Sequence, residues 1–175
     1  GFKVCYHMMP GLLGSNEQKD IIAFKELFSN PVFQPDMLKI YPTLVVKNTP
    51  LYELWKEGTY NPLGTKEAII RISKMLEYVP EYVRIQRIQR DITAQYIECG
   101  VQKSNLRQLV DNYGLESNFS SKDIRNRELG HKSLQGQDES KNIALENVTL
   151  KKISYDASNG TEIFLSLVLP FNDAL

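Results

Sequence analysis

The clearest structural signal in this chain spans residues 65–88, with the sequence TKEAIIRISKMLEYVPEYVRIQRI. The first half of this stretch places apolar residues on one face of a helix and charged residues on the opposite face. The apolar positions are Ile69, Ile72, Leu76 and Val79. Pro80 ends this helix, and residues 82–88 resume as a strand. The stretch therefore predicts an amphipathic helix that leads into a strand.

The residues before this stretch also predict an alternation of strands and helices. Residues 2–9 predict a buried strand, and Ser15 with Gln18 fits a capping box at the start of the next helix. That helix buries apolar residues at spacings of three and four, namely Ile21, Phe24, Leu27 and Phe28. A short strand is predicted at residues 37–41. Strand, helix, strand, helix, strand over the first 90 residues predicts an α/β fold with a parallel layer or barrel.

The second half of the chain no longer alternates strands and helices. A helix is predicted at residues 103–113, and the polar stretch 117–141 has the composition of a linker or an extended ribbon. Two candidate strands follow, joined by Asn159-Gly160, which is a strong hairpin-turn signal. These strands are residues 145–155 and 162–169. A new, mainly β unit is therefore expected to begin near residue 140.

Composition excludes some classes of protein. The 175 residues are 42% hydrophobic and 24% charged, as in an ordinary globular domain. Lys plus Arg and Asp plus Glu both number 21, so the overall charge gives no argument for nucleic-acid binding. No apolar run approaches the roughly 20 residues of a membrane helix, so no membrane partner is expected. Cys5 and Cys99 have no metal-binding spacing, and two free thiols in a reducing cytosol are expected.

Candidate functional residues lie on the predicted strands. His7 ends the first strand, where α/β barrels carry functional residues, although a lone histidine is more often a core residue. Lys39 lies inside an apolar run, so it either faces water on an edge strand or leads into a cleft. Strand alternation predicts that Arg84, Gln86 and Arg90 share one side while Arg87 faces the other. The arginine guanidinium groups suit phosphates or carboxylates, and a solvated strand edge is the alternative.

Residues 82–132 are more basic than the rest of the chain. They contain nine Lys or Arg and six Asp or Glu, a net charge of +3, so the remainder carries −3. This modest asymmetry suits a surface that contacts a polyanion. The sequence has no cluster typical of a catalytic triad, a metal-binding helix or a phosphate-binding glycine loop. No catalytic residue is therefore assigned.

Seven segments resemble the catalytic subunit of Elongator, in that family's order and over nearly the whole chain. They are HMMPGL (7–12), DMLKIYPTLVV (36–46), LYELW (51–55), RIQRDI (87–92), NLR (105–107), IRNRELGH (124–131) and GTEIFLS (160–166). Members of this family join a radical S-adenosylmethionine barrel to a C-terminal acetyltransferase-like domain. The resemblance, together with the abrupt first and last residues, implies an internal piece of a longer protein.

The resemblance implies three regions. Residues 1–100 form the C-terminal part of a radical SAM partial TIM barrel, 101–140 a connector, and 141–175 the first strands of an acetyltransferase-like (GNAT) domain. Acetyl-CoA would supply an acetyl group, and a 5′-deoxyadenosyl radical would activate it for attachment to carbon 5 of the wobble uridine of tRNA. The 4Fe-4S cluster and S-adenosylmethionine are held mostly upstream, and acetyl-CoA mostly downstream. This chain alone is therefore expected to bind no cluster and to be inactive.

The resemblance also implies candidate site residues. Those expected to line the substrate or cofactor cavity are His7, Lys39, Tyr41, Arg84 and Arg90. The basic region 82–132, rather than the resemblance, supplies the residues expected to contact RNA, namely Arg125, Arg127 and Lys132. The implied partners are tRNA and either a second copy of the chain or Elongator-like subunits, and the implied location is the cytoplasm.

The connecting segment departs from many prokaryotic relatives, which carry cysteines there in the pattern C-x-C-I-R-C-R-E. Here Ser121, Asp123 and Asn126 stand at those positions. Because a structural zinc site of that kind needs thiolates, no zinc is expected. Salt bridges and packing are expected to hold the connector instead, with Arg125, Arg127 and Glu128 as candidates.

Two other functions remain open at this point. One is a protein lysine acetyltransferase, and the other is a non-catalytic scaffold of the same fold that binds RNA or a partner. The residues that would distinguish them, above all the three cluster cysteines, lie outside this sequence.

Overall fold

The computed structural model describes residues 2–89, 92–129 and 148–169. In chain order its elements are β1 (Cys5–Met8), α1 (Glu17–Ser29), β2 (Met37–Ile40), β3 (Val45–Val46), α2 (Pro50–Lys56), α3 (Thr65–Leu76), β4 (Arg84–Ile88), a 3₁₀ turn (Ala94–Tyr96), β5 (Ile97–Cys99), α4 (Leu106–Glu116), α5 (Ile124–Arg127), β6 (Thr149–Ala157) and β7 (Gly160–Val168).

The first 90 residues form a three-stranded parallel sheet with helices between the strands, which confirms the predicted alternation of strands and helices. Its strand order is β1-β2-β4, and helices lie in both connections because parallel neighbours need long crossovers. Helices α1, α3 and α4 bury their apolar sides against one face of this sheet. The largest fully buried side chains there include Phe24, Leu38, Ile40, Ile72, Ile85 and Leu106. The opposite face carries polar side chains and is called the polar face below.

Helix α1 begins one residue later than the predicted capping box. Asn16 is the N-cap, and its side-chain oxygen accepts the backbone N–H of Lys19 at 2.9 Å. The Ser15 hydroxyl instead donates to Asp20 at 2.6 Å. Both side chains can cap a helix. Ser15 is diverted because a nearly buried carboxylate within the first turn of α1 needs its hydroxyl.

Strand β4 does not keep the alternation predicted for it. Leu38 pairs with Ile85, whereas the next residue, Lys39, pairs with Arg87, so Gln86 is the extra residue of a β-bulge. The prediction that Arg87 faces the other side from Gln86 is therefore wrong. The bulge turns the Arg87 side chain onto the polar face, next to Lys39.

The second half adds two small sheets and two helices. Strands β3 and β5 form a short antiparallel pair that the sequence did not predict. Helix α4 occupies the region predicted as helical, and the short helix α5 lies inside the stretch predicted to be a linker. The predicted hairpin is present as β6 and β7. Its turn residues are Ser158 and Asn159, both with positive φ, so Gly160 already pairs with Ala157.

Candidate functional site

Three basic side chains lie side by side on the polar face. His7 pairs in register with Lys39, and Lys39 pairs with Arg87, so the three residues form one row across β1, β2 and β4. Neighbouring strands are about 4.8 Å apart. His7 and Arg87 are exposed and Lys39 is half-buried. This row, His7–Lys39–Arg87, is called the basic row below, and its spacing suits a ligand with several negative or carbonyl oxygens.

Tyr41 lies next to the basic row at the carboxyl end of β2. Its ring meets the His7 ring edge-on, with centroids 5.3 Å apart and planes at 80°. The Tyr41 backbone N–H donates to the carbonyl of Met8 at 2.8 Å, which holds the chain beyond β2 against the end of β1. The structure therefore brings together three of the five predicted cavity residues, namely His7, Lys39 and Tyr41.

The loop that follows β1 borders this site and is held by a buried ion pair. Arg71 of α3 donates to Asp20 of α1 at 2.7 Å, and both side chains are less than 10% exposed. The same carboxylate oxygen of Asp20, Oδ2, also accepts the backbone N–H of Gly11 at 2.9 Å. The hydroxyl of Tyr60 donates to the Gly11 carbonyl at 2.7 Å. Asp20 and Arg71 could not be predicted as partners, because nothing in the local sequence pattern shows that α1 and α3 bring them together.

Gly11 itself has no room for a side chain. Its φ of +79° lies in the left-handed region, and an added Cβ would lie 2.7 Å from Cγ of Leu63. A glycine is therefore required at the point where the loop turns away from β1.

Arg84 does not belong to this group of residues. It is the first residue of β4 and pairs in register with Met37, the first residue of β2. It therefore lies at the amino end of the strands, opposite the end that carries Tyr41. Its guanidinium group binds the Glu128 carboxylate through two nitrogens, with one contact at 3.0 Å. We correct the predicted cavity role of Arg84 to a contact between the sheet and the connector. Arg90 lies outside the described residues.

The two described arginines of the connector also contact the sheet. Arg125 donates to the carbonyl of Gln86 at 3.0 Å. Arg127 is only 7% exposed and donates to the carbonyls of Lys122 at 2.8 Å and Glu81 at 2.5 Å. This geometry supports the expectation that Arg127 holds the connector against the rest of the chain. It contradicts an RNA contact through the buried guanidinium group of Arg127. Lys132 lies outside the described residues.

Two of the three connector positions that lack thiolates, Asp123 and Asn126, contact one arginine, and the third, Ser121, contacts Asp123. Arg107 of α4 donates to Asp123 at 3.1 Å and to Asn126 at 2.6 Å, and its Nε lies 3.5 Å from Asp111. The Ser121 hydroxyl donates to Asp123 at 2.9 Å. Burial raises the pKa of Asp111 against the opposing effect of Arg107. A guanidinium group thus supplies the positive charge at the centre of this cluster.

Comparisons with known proteins agree with this architecture. The Radical_SAM C-terminal domain family matches residues 35–114, from the start of β2 through most of α4. The tRNA uridine(34) acetyltransferase of Methanocaldococcus jannaschii is 48% identical over 177 aligned residues, which cover 100% of this chain and 32% of that protein. Elongator complex protein 3 of Dictyostelium discoideum is 42% identical and is covered to 30%.

A solved structure agrees along almost the whole chain. The archaeal Methanocaldococcus infernus Elp3 with an N-terminal deletion superposes with a TM-score of 0.91 at 46% identity, covering 98% of this chain and 40% of that one. The chain belongs to the Elongator catalytic subunit family. It spans about a third of the length of the curated relatives it matches.

Membership of the Elongator family implies S-adenosylmethionine and a 4Fe-4S cluster in the full-length protein. The question for this chain is whether its described residues could coordinate that cluster. Within the described ranges no three His, Cys, Asp or Glu residues are grouped to hold a metal. Cys5 and Cys99 lie on strands of different sheets. A cluster of this kind needs three thiolates close together, so the described residues do not fit its coordination.

The sequence predicted that no segment is apolar enough over a sufficient length to form a membrane helix. In residues 2–89, 92–129 and 148–169 none of the helices has both the length and the hydropathy that a membrane span requires.

Proposed function

We propose that this chain is part of a longer enzyme that modifies carbon 5 of the wobble uridine of tRNA, using a radical S-adenosylmethionine centre and acetyl-CoA. The relatives named as tRNA uridine(34) acetyltransferases and the match to the Radical_SAM C-terminal domain family support this reaction class. The cluster and most S-adenosylmethionine contacts come from upstream residues, and most acetyl-CoA contacts come from downstream residues. The chain alone is inactive.

The main support for the proposal is the basic row, together with the contact between the His7 and Tyr41 rings. The Lys39 ammonium group has no hydrogen-bond or ion-pair partner among the described residues, although Lys39 is half-buried as a residue. An ammonium group on a half-buried stem gains stability from an anionic partner. Lys39 and Arg87 contact a phosphate or carboxylate of the bound substrate or cofactor. His7 and Tyr41 offer ring surfaces against which a flipped-out base stacks.

The hairpin supports the second half of the proposal. The face of β6 and β7 that points away from the parallel sheet is mixed, with Lys152, Ser154 and Asp156 on it, but it also carries four large apolar side chains that are more than half exposed. They are Leu150, Ile163, Leu165 and Leu167. Such a face is covered in a stable protein. We assign residues 141–175 to the first strands of an acetyltransferase-like domain, with 1–100 as the last part of the barrel and 101–140 as the connector.

The partners of the full-length enzyme follow from the same proposal. Its substrate is tRNA in the cytoplasm, and it assembles with a second copy or with Elongator-type subunits. Arg125 is half-buried rather than buried and remains a candidate for RNA contact.

Lys39→Ala in the full-length enzyme is expected to lower tRNA-dependent acetyl-CoA turnover by roughly 10- to 100-fold. That loss corresponds to about 1.5–3 kcal/mol for a hydrogen bond to a charged group. Lys39→Arg keeps the charge and should retain most of the activity. Lys66→Ala is the matched control, since Lys66 is exposed on α3, which packs on the apolar side of the sheet. Turnover is measured with unmodified tRNA under anaerobic conditions.

Two results would count against this proposal. Full turnover by a correctly folded Lys39→Ala enzyme would remove the basic row from the site. A wild-type enzyme that binds tRNA without consuming acetyl-CoA would favour the scaffold, and tRNA-independent acetylation of lysine peptides would favour the protein acetyltransferase.

A further inference from the structure

The turn between α3 and β4 contacts two elements that follow α4, namely α5 and β6. Residues 81–83 of this turn and Arg84, the first residue of β4, each bind a different downstream group, and we call residues 81–84 the anchor turn. The Glu81 carboxylate lies 2.6 Å from the Lys151 ammonium group of β6, and the Val83 carbonyl accepts the Ile124 N–H at 2.9 Å. As described above, the Glu81 carbonyl accepts from Arg127, and Arg84 pairs with Glu128.

The most extensive of these contacts is between two aromatic rings. Tyr82 and Tyr155 of β6 stack with centroids 3.7 Å apart and planes at 7°. Burial is the main cause that raises the pKa of Tyr155 to about 12, and the nearby carboxylates of Asp36 and Glu162 raise it further. The pKa of Tyr82 is raised as well, again chiefly by burial. Tyr82 is buried beneath this stack, and Tyr155 is partly buried by it.

The hairpin faces the anchor turn with alternate residues only. Lys151 and Tyr155 point toward the sheet and are partly buried, whereas Lys152 and Ser154 between them are exposed. A second contact fixes the hairpin turn, because the N–H of Ser158 donates to the carbonyl of Pro31 at 2.7 Å. Beside the stack, a cavity of about 240 Å³ separates the two surfaces. The hairpin is therefore positioned by these polar contacts together with Tyr155 and Phe164, which pack against the edge of the hydrophobic core.

We propose that the anchor turn fixes the hairpin, and with it the unit that the hairpin opens, at a set distance from the polar face. The acetyl-CoA-binding unit is then held at a fixed position relative to the basic row by four positioning residues. They are Glu81, Tyr82, Lys151 and Tyr155. This inference rests on the proposed function, since it concerns the transfer of an acetyl group between the two units. The anchor turn itself lies at the amino end of the strands and does not touch the reacting atoms.

The test uses the full-length enzyme with Tyr155→Ala and Lys151→Ala, and Lys152→Ala as control. Lys151 and Lys152 are adjacent on β6 and differ in the face they present. We expect Tyr155→Ala to increase amide hydrogen exchange in β6 and β7 at least tenfold without changing exchange in α3. Its kcat for tRNA-dependent acetyl-CoA turnover should fall at least tenfold, while the Kd for tRNA changes less than twofold. Tyr155→Phe should restore both rates.

Each measurement can fail separately. Unchanged exchange in the hairpin of Tyr155→Ala would show that the stack does not anchor it and would overturn the inference. Increased exchange with an unchanged kcat would overturn the positioning role. If the wild-type enzyme shows no tRNA-dependent turnover, the proposed function fails, whereas the exchange measurement still decides whether the anchor exists.

Discussion

Replacing Asp20 by alanine is expected to lower the free energy of unfolding by about 3–5 kcal/mol, the usual cost of removing one partner of a buried ion pair. Arg71 would keep only Glu67 as an ionic partner, and that carboxylate is 56% exposed. The loss also leaves the N–H of Gly11 and the hydroxyl of Ser15 without their acceptor. Urea unfolding of the purified protein, followed by circular dichroism, measures the change.

Two further variants separate the charge from the hydrogen bonds. Asp20→Asn keeps a side-chain acceptor but removes the charge, so it should destabilise less than alanine. The double variant Asp20→Leu with Arg71→Met replaces the pair by apolar groups and should be more stable than Asp20→Ala. A loss below about 1 kcal/mol for Asp20→Ala would mean that water replaces the pair, as it does for ion pairs at the surface.

The helices and strands of the first 90 residues could be predicted because each buries one regularly spaced apolar side. The β-bulge in β4 could not, because it depends on how β4 pairs with β2, about 45 residues earlier in the sequence. Nothing in the local order Arg-Ile-Gln-Arg-Ile distinguishes a regular strand from a bulged one. That bulge is what adds Arg87 to the basic row, so the most exposed cation of the row was assigned to the wrong side.

Parts of the candidate site were predicted by two different arguments. The end of a predicted strand singles out His7, because α/β barrels carry functional residues there, whereas Tyr41 follows only from the family resemblance. The rule about strand ends could have excluded Arg84, which begins its strand instead of ending it. Burial of Asp20 could not be read from the sequence, since an aspartate in the first turn of a helix is also common at exposed positions.

Replacing Arg107 by alanine is expected to lower the free energy of unfolding by about 3–5 kcal/mol as well. Its side chain is 15% exposed, whereas that of Asp123 is fully buried. Without the guanidinium group, Asp123 would retain the Ser121 hydroxyl but no positive partner. The carbonyl of Ile85 would also lose the donor that Arg107 provides at 3.2 Å. The connector would then be held to β4 only by its other contacts, among them Arg84 with Glu128 and Arg125 with the Gln86 carbonyl, so its amides should exchange faster.

Arg107→Lys tests whether charge alone is enough. An ammonium group cannot reach Asp123, Asn126 and the Ile85 carbonyl together as a planar guanidinium group does, so an intermediate stability is expected. Lys103→Ala is the control, because Lys103 is exposed just before α4. Urea unfolding and amide exchange in residues 121–128 are measured on the same samples, with elemental analysis for zinc. One tightly bound zinc per chain, or an Arg107→Ala variant as stable as the control, would show that arginine does not hold this cluster together.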